Sequence, residues 1–250
     1  MAQDNSQVLK HWNDENEESM YDKNLLKAEI DLIKCHIADH SKILDAGCGE
    51  GEGTLAYSAI AGVEIHAADF SETRLKKAAE RLGPCRNVIL KQVDFSGDYS
   101  LDTDYDVIVS QRFLINLMEW ELQKRVLLNL MLLLRPGGRL IMLEGSRQGA
   151  ESLNELRRLL GLPLIPVKWH NLFMDDEALV SFMLENKFRL SAHDGLGTYF
   201  LLTRGIRPFF DKDLDWNCEF NRMAGSSDMR NILGLDNTKF SRLKLWIFEK

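Results

Sequence analysis

Ile43-Leu44-Asp45-Ala46-Gly47-Cys48-Gly49-Glu50-Gly51-Glu52-Gly53 decides the fold. An apolar run that ends in an acid and then alternates glycines is a strand breaking into a tight turn. Glycine at alternate positions permits positive φ and lets a ligand lie against bare backbone, and the helix that follows offers unpaired N–H groups at its start. A dinucleotide turn requires G-x-G-x-x-G. Starting from Gly47 and Gly49 the third position is Glu52, and starting from Gly49 and Gly51 it is Thr54, so neither register fits. Glu50 and Glu52 would repel a pyrophosphate at this turn but tolerate a cationic ligand.

Four further signals follow in order. Val63 to Asp69 reads as a second strand ending in an acid, after which Ser71 caps a helix that Gly83 and Pro84 stop. Val88 to Val93 reads as a third strand leading to Asp94-Phe95. Tyr105 to Ser110 reads as a fourth, running into Gln111-Arg112, and Leu134-Arg135-Pro136-Gly137-Gly138 turns into a fifth that ends at Glu144. The D-x-G-x-G-x-G turn resembles motif I of the class I S-adenosylmethionine-dependent methyltransferases, and the other four signals resemble that family's succeeding motifs, over roughly 43–144. The resemblance implies a doubly wound α/β fold with a seven-stranded, mostly parallel sheet whose last strand is antiparallel. It also implies S-adenosylmethionine as cofactor and S-adenosylhomocysteine as product. In such a site Asp69 accepts the ribose hydroxyls, Phe70 packs near the adenine, and Asp94 and the Phe95 N–H meet the adenine edge. Asp45, Ala46, Gly47, Cys48 and Gly49 of the turn, with Arg74 and Gln111, complete the implied cofactor set. Arg74 stands where many relatives carry an apolar residue, so either its stem covers the ring or the adenine site differs.

The remainder of the chain is consistent with one domain over residues 1–250. Residues 1–40 read as a helical N-terminal cover, 41–145 as the cofactor-binding core, and 146–250 as the substrate side and the completion of the sheet. Helices are expected over Glu151–Leu160, closed by Gly161, and from Asp175 or Asp176 to about Glu185. Tyr199–Arg204 and Leu243–Phe248 are β-rich and read as the last two strands, and the roughly forty residues between them read as a cover insertion. With 250 residues, 45% hydrophobic and 28% charged, the chain has the composition of an ordinary globular protein. Its start lacks a signal-peptide pattern and no apolar stretch suits a bilayer span, so a cytoplasmic location without membrane association is expected. The four cysteines form no C-x-x-C pair, and reduced thiols are expected. A net charge of −7 and the lack of a dense basic run argue against nucleic acid as partner.

The implied chemistry is in-line attack of an O, N, S or C nucleophile on an activated methyl, in which alignment and exclusion of water matter most and a general base is optional. The turn after the fourth strand lacks the N/D-P-P-Y/F pattern of exocyclic-amine methyltransferases and the acids of metal-dependent catechol-type enzymes. The expectation is O- or N-methylation of a small molecule without a metal. His170, next to Trp169 in a proline-flanked loop, is the first candidate base, its alternative being a cap or a solvated side chain. Arg112 and Asn116 are read as acceptor contacts or as a structural salt bridge and cap, and Tyr199 as a pocket wall or as aromatic core. Two other classes remain open: an RNA or protein methyltransferase, and a noncatalytic S-adenosylmethionine-binding subunit.

Overall fold

The computed structural model describes residues 5–14, 20–212, 215–232 and 234–250. The parts of the expected N-terminal cover at 1–4 and 15–19, and of the insertion at 213–214 and 233, lie outside the described residues.

Seven strands form one sheet: β1 (Lys42–Ala46), β2 (Glu64–Asp69), β3 (Val88–Gln92), β4 (Tyr105–Gln111), β5 (Leu134–Gly145), β6 (Arg189–Gly195) and β7 (Leu243–Glu249). Their order is β3-β2-β1-β4-β5-β7-β6, with β1 to β5 mutually parallel and β7 antiparallel to both its neighbours. This is the doubly wound sheet the motifs imply.

The central strands are buried on both faces, which is why they read as unbroken apolar runs rather than as alternation. Consecutive residues point to opposite sides of the sheet. Ile43 joins a core with α2 (Lys23–Lys34) and α3 (Glu52–Ser58), through Ile30, Ile33 and Tyr57. Leu44 joins the opposite core with α5 (Trp120–Leu133) and α7 (Asp176–Glu185), through Leu127, Leu130 and Met183. The caps fall where the side chains dictate. Ser71 accepts the Arg74 N–H at the start of α4 (Glu72–Leu82), and Asp175 accepts the Ala178 N–H at the start of α7. Ser146 caps α6 (Arg147–Leu159), and Gly161, at φ +67°, follows its end.

The structure corrects one expectation. Tyr199–Arg204 is not a strand. It lies inside a helical run made of α8 (Gly197–Phe200), a π-helical stretch (Leu201–Ile206) and α9 (Arg207–Phe210). The sixth strand lies upstream, at Arg189–Gly195, so the whole segment from Leu196 to Arg242 is the insertion. It carries two more short helices, α10 (Glu219–Ala224) and α11 (Ser227–Ile232).

The N-terminal α1 (Asn5–Asn13) lies across the start of α4. There Ser71 Oγ and Arg74 Nε both donate to the Trp12 carbonyl, at 3.2 and 3.1 Å. Among the described residues no helix is long and apolar enough to cross a membrane.

Candidate active site

A cavity of about 410 Å³ opens over the carboxyl ends of β1 to β4. In this topology β1 and β4 lie side by side while their following helices go to opposite faces, and that crevice is where open α/β sheets bind ligands. The glycine turn forms one half of the cavity. Gly47 sits at φ +75°, and a Cβ there would stand 2.5 Å from Phe113 Cβ, so the residue is demanded twice, by backbone and by packing. Gly49, at φ +55°, has nothing within 4 Å of where a Cβ would be. That open space beside bare backbone is what a closely held cofactor needs.

Asp69 is buried at the end of β2. Its Oδ2 accepts the Gly49 N–H and its Oδ1 the Ser71 N–H, both at 2.9 Å. Burial pushes its carboxyl above the ordinary range, against the pull of those N–H donors and of Arg74. Asp45 is pushed up to about 6 by burial, with Thr54 Oγ1 donating to it at 2.6 Å. The Arg74 guanidinium pairs with Glu50 and lies 5.4 Å from the Trp12 ring centre. Glu50 also pairs with Lys77 at 3.2 Å and is held below the usual carboxylate range, although burial alone would raise it. Asp94 accepts from the Ser96 N–H and Oγ, at 2.8 and 2.6 Å, and Phe70 and Phe95 join it on the lining.

The far half is set by two buried carboxylates. Glu29, on α2, accepts from Gln111 Nε2 at 2.7 Å, and Arg112 Nε lies 3.1 Å from the same oxygen, near enough for an ion pair though not aligned as a hydrogen bond. Burial raises the Glu29 carboxyl, and Arg112 opposes the rise. Arg112 itself adopts φ +50°, a region costly for a side-chain-bearing residue. It is held there by its N–H on the Leu143 carbonyl, at 2.9 Å, and by Asn116 Nδ2 on its own carbonyl, at 2.8 Å. Glu144, at the end of β5, accepts from Ser110 Oγ and from the N–H groups of Phe113, Leu114 and Ile115, between 2.6 and 3.2 Å. The turn that carries Arg112 and Asn116 is thus built around one carboxylate.

His170 lies under a cluster of rings. It stacks on His11 at 4.4 Å with planes 24° apart, and meets Trp12 and Trp169 edge-on at 5.3 Å each. It is buried, its Nδ1 has no hydrogen-bond partner among the described residues, and burial, His11 and Lys168 depress its pKa to about 4. Trp12 Nε1 donates to Asn116 Oδ1 at 3.2 Å, tying α1 to the turn after β4.

The cavity brings together Asp45, Gly47, Cys48, Gly49, Asp69 and Phe70 with Arg74, Asp94, Phe95 and Gln111, and also Arg112, Asn116 and His170. Ala46 and Trp169 are not on its lining. Ala46 is fully buried just before the turn, and Trp169 is half exposed beside His170. Tyr199, read as wall or core, takes the second role. It is 2% exposed, off the lining, and its hydroxyl donates to Asp22 at 2.8 Å. The sequence did not single out Glu29, Glu144, Phe113, Phe173, Arg204 or Arg242 for the site. Only the acid ending the fifth strand, Glu144, carried a local signal. Among the described residues no group of three His, Cys, Asp or Glu side chains is placed to hold a metal ion.

Residues 43–138 match the model of a family described as a methyltransferase domain. The ubiquinone/menaquinone biosynthesis C-methyltransferase UbiE of Ectopseudomonas mendocina is 27% identical over 190 residues, 67% of this chain and 73% of that relative. Two solved structures have similar folds at 13% identity. One is the geranyl diphosphate C-methyltransferase of Streptomyces coelicolor, with a TM-score of 0.62 and coverage of 98% of this chain and 97% of that one. The other is the N-methyltransferase NodS of Bradyrhizobium japonicum, with a TM-score of 0.58 and 99% of each chain covered. With the sheet order and the glycine turn, the match over residues 43–138 and the similarity to UbiE support a class I S-adenosylmethionine-dependent methyltransferase. The family match ends at residue 138, so most of what walls the far half of the cavity lies outside it.

Proposed function

We propose that this enzyme moves the methyl group to a small-molecule acceptor by direct in-line displacement. The observation that carries the reading is the roof. The glycine-turn half and the far half are one continuous cavity, covered by Trp12 of α1 and by the segment around Ile165–Phe173, which leaves room for a compact acceptor beside the cofactor. The similarity to UbiE and to the geranyl diphosphate enzyme, both named as C-methyltransferases, supports a small acceptor and adds carbon to the expected oxygen or nitrogen as the methylated atom. The reading takes the chain as one methyltransferase unit whose N-terminal segment and insertion serve as covers.

Gly47, Cys48 and Gly49 would cradle the cofactor, Asp69 would take its ribose hydroxyls, and Phe70, Asp94 and Phe95 its adenine. Bound there, S-adenosylmethionine supplies an activated methyl on a sulfonium. The carboxylates of Asp45 and Asp69, on the glycine-turn half, would favour a cationic ligand there. Glu29 and Glu144 fix the turn that bears Arg112 and Asn116, so the acceptor meets a preorganised wall. His170, kept neutral by burial, is the group able to take a proton where the acceptor loses one. A pKa of about 4 makes it a weak base, suited to an acceptor that is itself acidic.

The test is transfer of a radiolabelled methyl group from S-adenosylmethionine into a fractionated extract of the source cells, with metabolite, RNA and protein fractions counted apart. Label in the metabolite fraction, lost with Asp69→Asn, is expected. Label confined to RNA or protein would overturn the small-acceptor reading, and a lack of label in every fraction would favour the noncatalytic alternative.

A further inference from the structure

The charges lining the cavity are segregated. Its carboxylates, Asp45, Glu50, Glu52, Asp69 and Asp94, all stand at the ends of β1, β2 and β3, where the one lining cation, Arg74, is paired with Glu50, whereas Arg112, Lys168, Arg204 and Arg242 lie on the other half. The neutralisation of those cations is incomplete. Arg112 faces Glu29, and Arg204 pairs with Asp22. Arg242 has no carboxylate partner among the described residues: its Nη1 and Nη2 donate to the carbonyls of Ile165 and Pro166, at 2.9 and 3.0 Å, and its guanidinium lies 5.4 Å from the Phe173 ring centre. Behind it, Arg157 donates to the carbonyls of Pro163 and Arg204 and likewise has no carboxylate partner among the described residues. Lys168, on the rim, makes no ion pair among the described residues and lies 5.9 Å from the Tyr21 ring centre.

Arg157, Arg204 and Arg242 therefore lie close enough to act on one another, and among the described residues only Arg204 pairs with a carboxylate, Asp22; Arg204 and Arg242 share the cavity lining with Met20, Leu25, Leu26, Phe173 and Phe200. The crowding is felt in their acidity. Burial, then Arg204 and Arg157, pull Arg242 down to about 10, and burial and Arg204 pull Arg157 down. Positive charge sheltered from water without a counter-charge is unfavourable, and an anion arriving at that wall relieves it. Guanidinium forks match the geometry of carboxylate and phosphate oxygens.

We infer that the methyl acceptor carries an anionic group, a carboxylate or a phosphate, seated against Arg242 and Arg204, with an apolar or aromatic body reaching from there toward the glycine turn. The inference rests on the small-acceptor reading for the ligand's role, but the charge preference is measurable apart from it. A purely structural Arg242, tying down Ile165 and Pro166, would stiffen that segment without discriminating by charge.

The experiment is calorimetric titration of the full chain with phenylacetate, phenyl phosphate and the neutral isostere phenylacetamide, each with and without saturating S-adenosylhomocysteine. Both anions, or one of them, are expected to bind at least tenfold more tightly than the amide, and more weakly as salt is raised. A preference for phenyl phosphate over phenylacetate would assign the group as phosphate, the reverse as carboxylate. Arg242→Gln is expected to abolish the preference while S-adenosylhomocysteine affinity stays within twofold. Lys168→Gln, on the exposed rim, reads the same preference should Arg242→Gln fail to fold, and is expected to reduce it about threefold. Equal affinity for anion and amide overturns the inference, as does failure of all three probes to bind at millimolar concentration or an undiminished preference in folded Arg242→Gln. Failure of S-adenosylhomocysteine alone to bind would count against the cofactor site instead, with the charge preference still read from the titrations without it.

Discussion

Asp69 is half committed before any cofactor arrives. Each carboxylate oxygen already takes one backbone N–H, from Gly49 and from Ser71, which ties the glycine turn to the start of α4 and leaves further lone pairs to face the cavity. Asp69→Asn keeps the shape but turns an NH₂ toward one of those two donors, so the variant should lose both the charge-assisted bonds to ribose and part of the order of the turn. Affinity for S-adenosylhomocysteine is expected to fall by about 1–3 kcal/mol, roughly 5- to 150-fold, in calorimetry. Affinity within twofold of the parent would remove Asp69 from the ribose assignment. This residue was legible in the sequence because a strand end and a turn are local features. Glu29 was not, since nothing in the amphipathic stretch Leu25–Ile33 marks one glutamate as fully buried until Gln111 and Arg112 are brought to it from β4.

Among the elements, the turn after β4 has the most unusual support, because three successive backbone N–H groups and a serine hydroxyl converge on Glu144 from the next strand. Burial pushes that carboxyl up to about 7 although all four donors favour its ionised form. Glu144→Gln would set an amide N–H against a ring of donors. It is expected to cost about 2–4 kcal/mol in urea unfolding, with the 112–116 turn gaining fast amide exchange before the rest of the sheet. A loss below about 1 kcal/mol would mean the turn holds itself. The same scale shows where sequence reading stops. Strands β1, β2, β4 and β5 were legible because central parallel strands are continuous apolar runs, and β3, at one sheet edge, because it keeps the run Val88-Ile89-Leu90 before Asp94. Tyr199–Arg204 has strand-like composition yet lies in a helical run, where Thr203 Oγ1 bonds the Tyr199 carbonyl at 2.7 Å and Tyr199 and Phe200 pack into the core below. The true β6 is a sheet edge with a polar sequence, and its residues alternate only between exposed and half-buried. Tertiary burial outweighed β-propensity there.

Across the whole molecule, access to the cavity passes a joint made by two distant stretches of chain. Ring contacts of His11 and Trp12 with Trp169 and His170 hold α1 over the site, reinforced by Trp12 on Asn116. An N-terminal cover was expected from the sequence, but its pairing with residues 169–170 could not be read there, since neither stretch carries a pattern that names the other. Its chemistry nonetheless makes it acid-sensitive. Among the described residues every influence on His170 lowers its pKa: burial first, then the facing His11 and Lys168. A group whose folded pKa, about 4, lies below its ordinary 6.5 binds a proton more readily once the joint opens. Its stabilising contribution is therefore complete above pH 6.5 and declines as pH falls from there toward 4. At pH 5 the decline should reach about 1–2 kcal/mol, or roughly 3–6 °C in Tm for a chain of this size. Because other groups titrate over the same interval, the measurement is a difference: Tm against pH for the parent and for His170→Phe, which keeps a stacking ring without the proton site. The parent should lose several degrees more than the variant between pH 7 and 5, with the tryptophan emission of Trp12 and Trp169 shifting in step. Parallel Tm curves would show that the ring stack is indifferent to the charge on His170 and would leave α1 held chiefly by its hydrogen bonds to Ser71, Arg74 and Asn116.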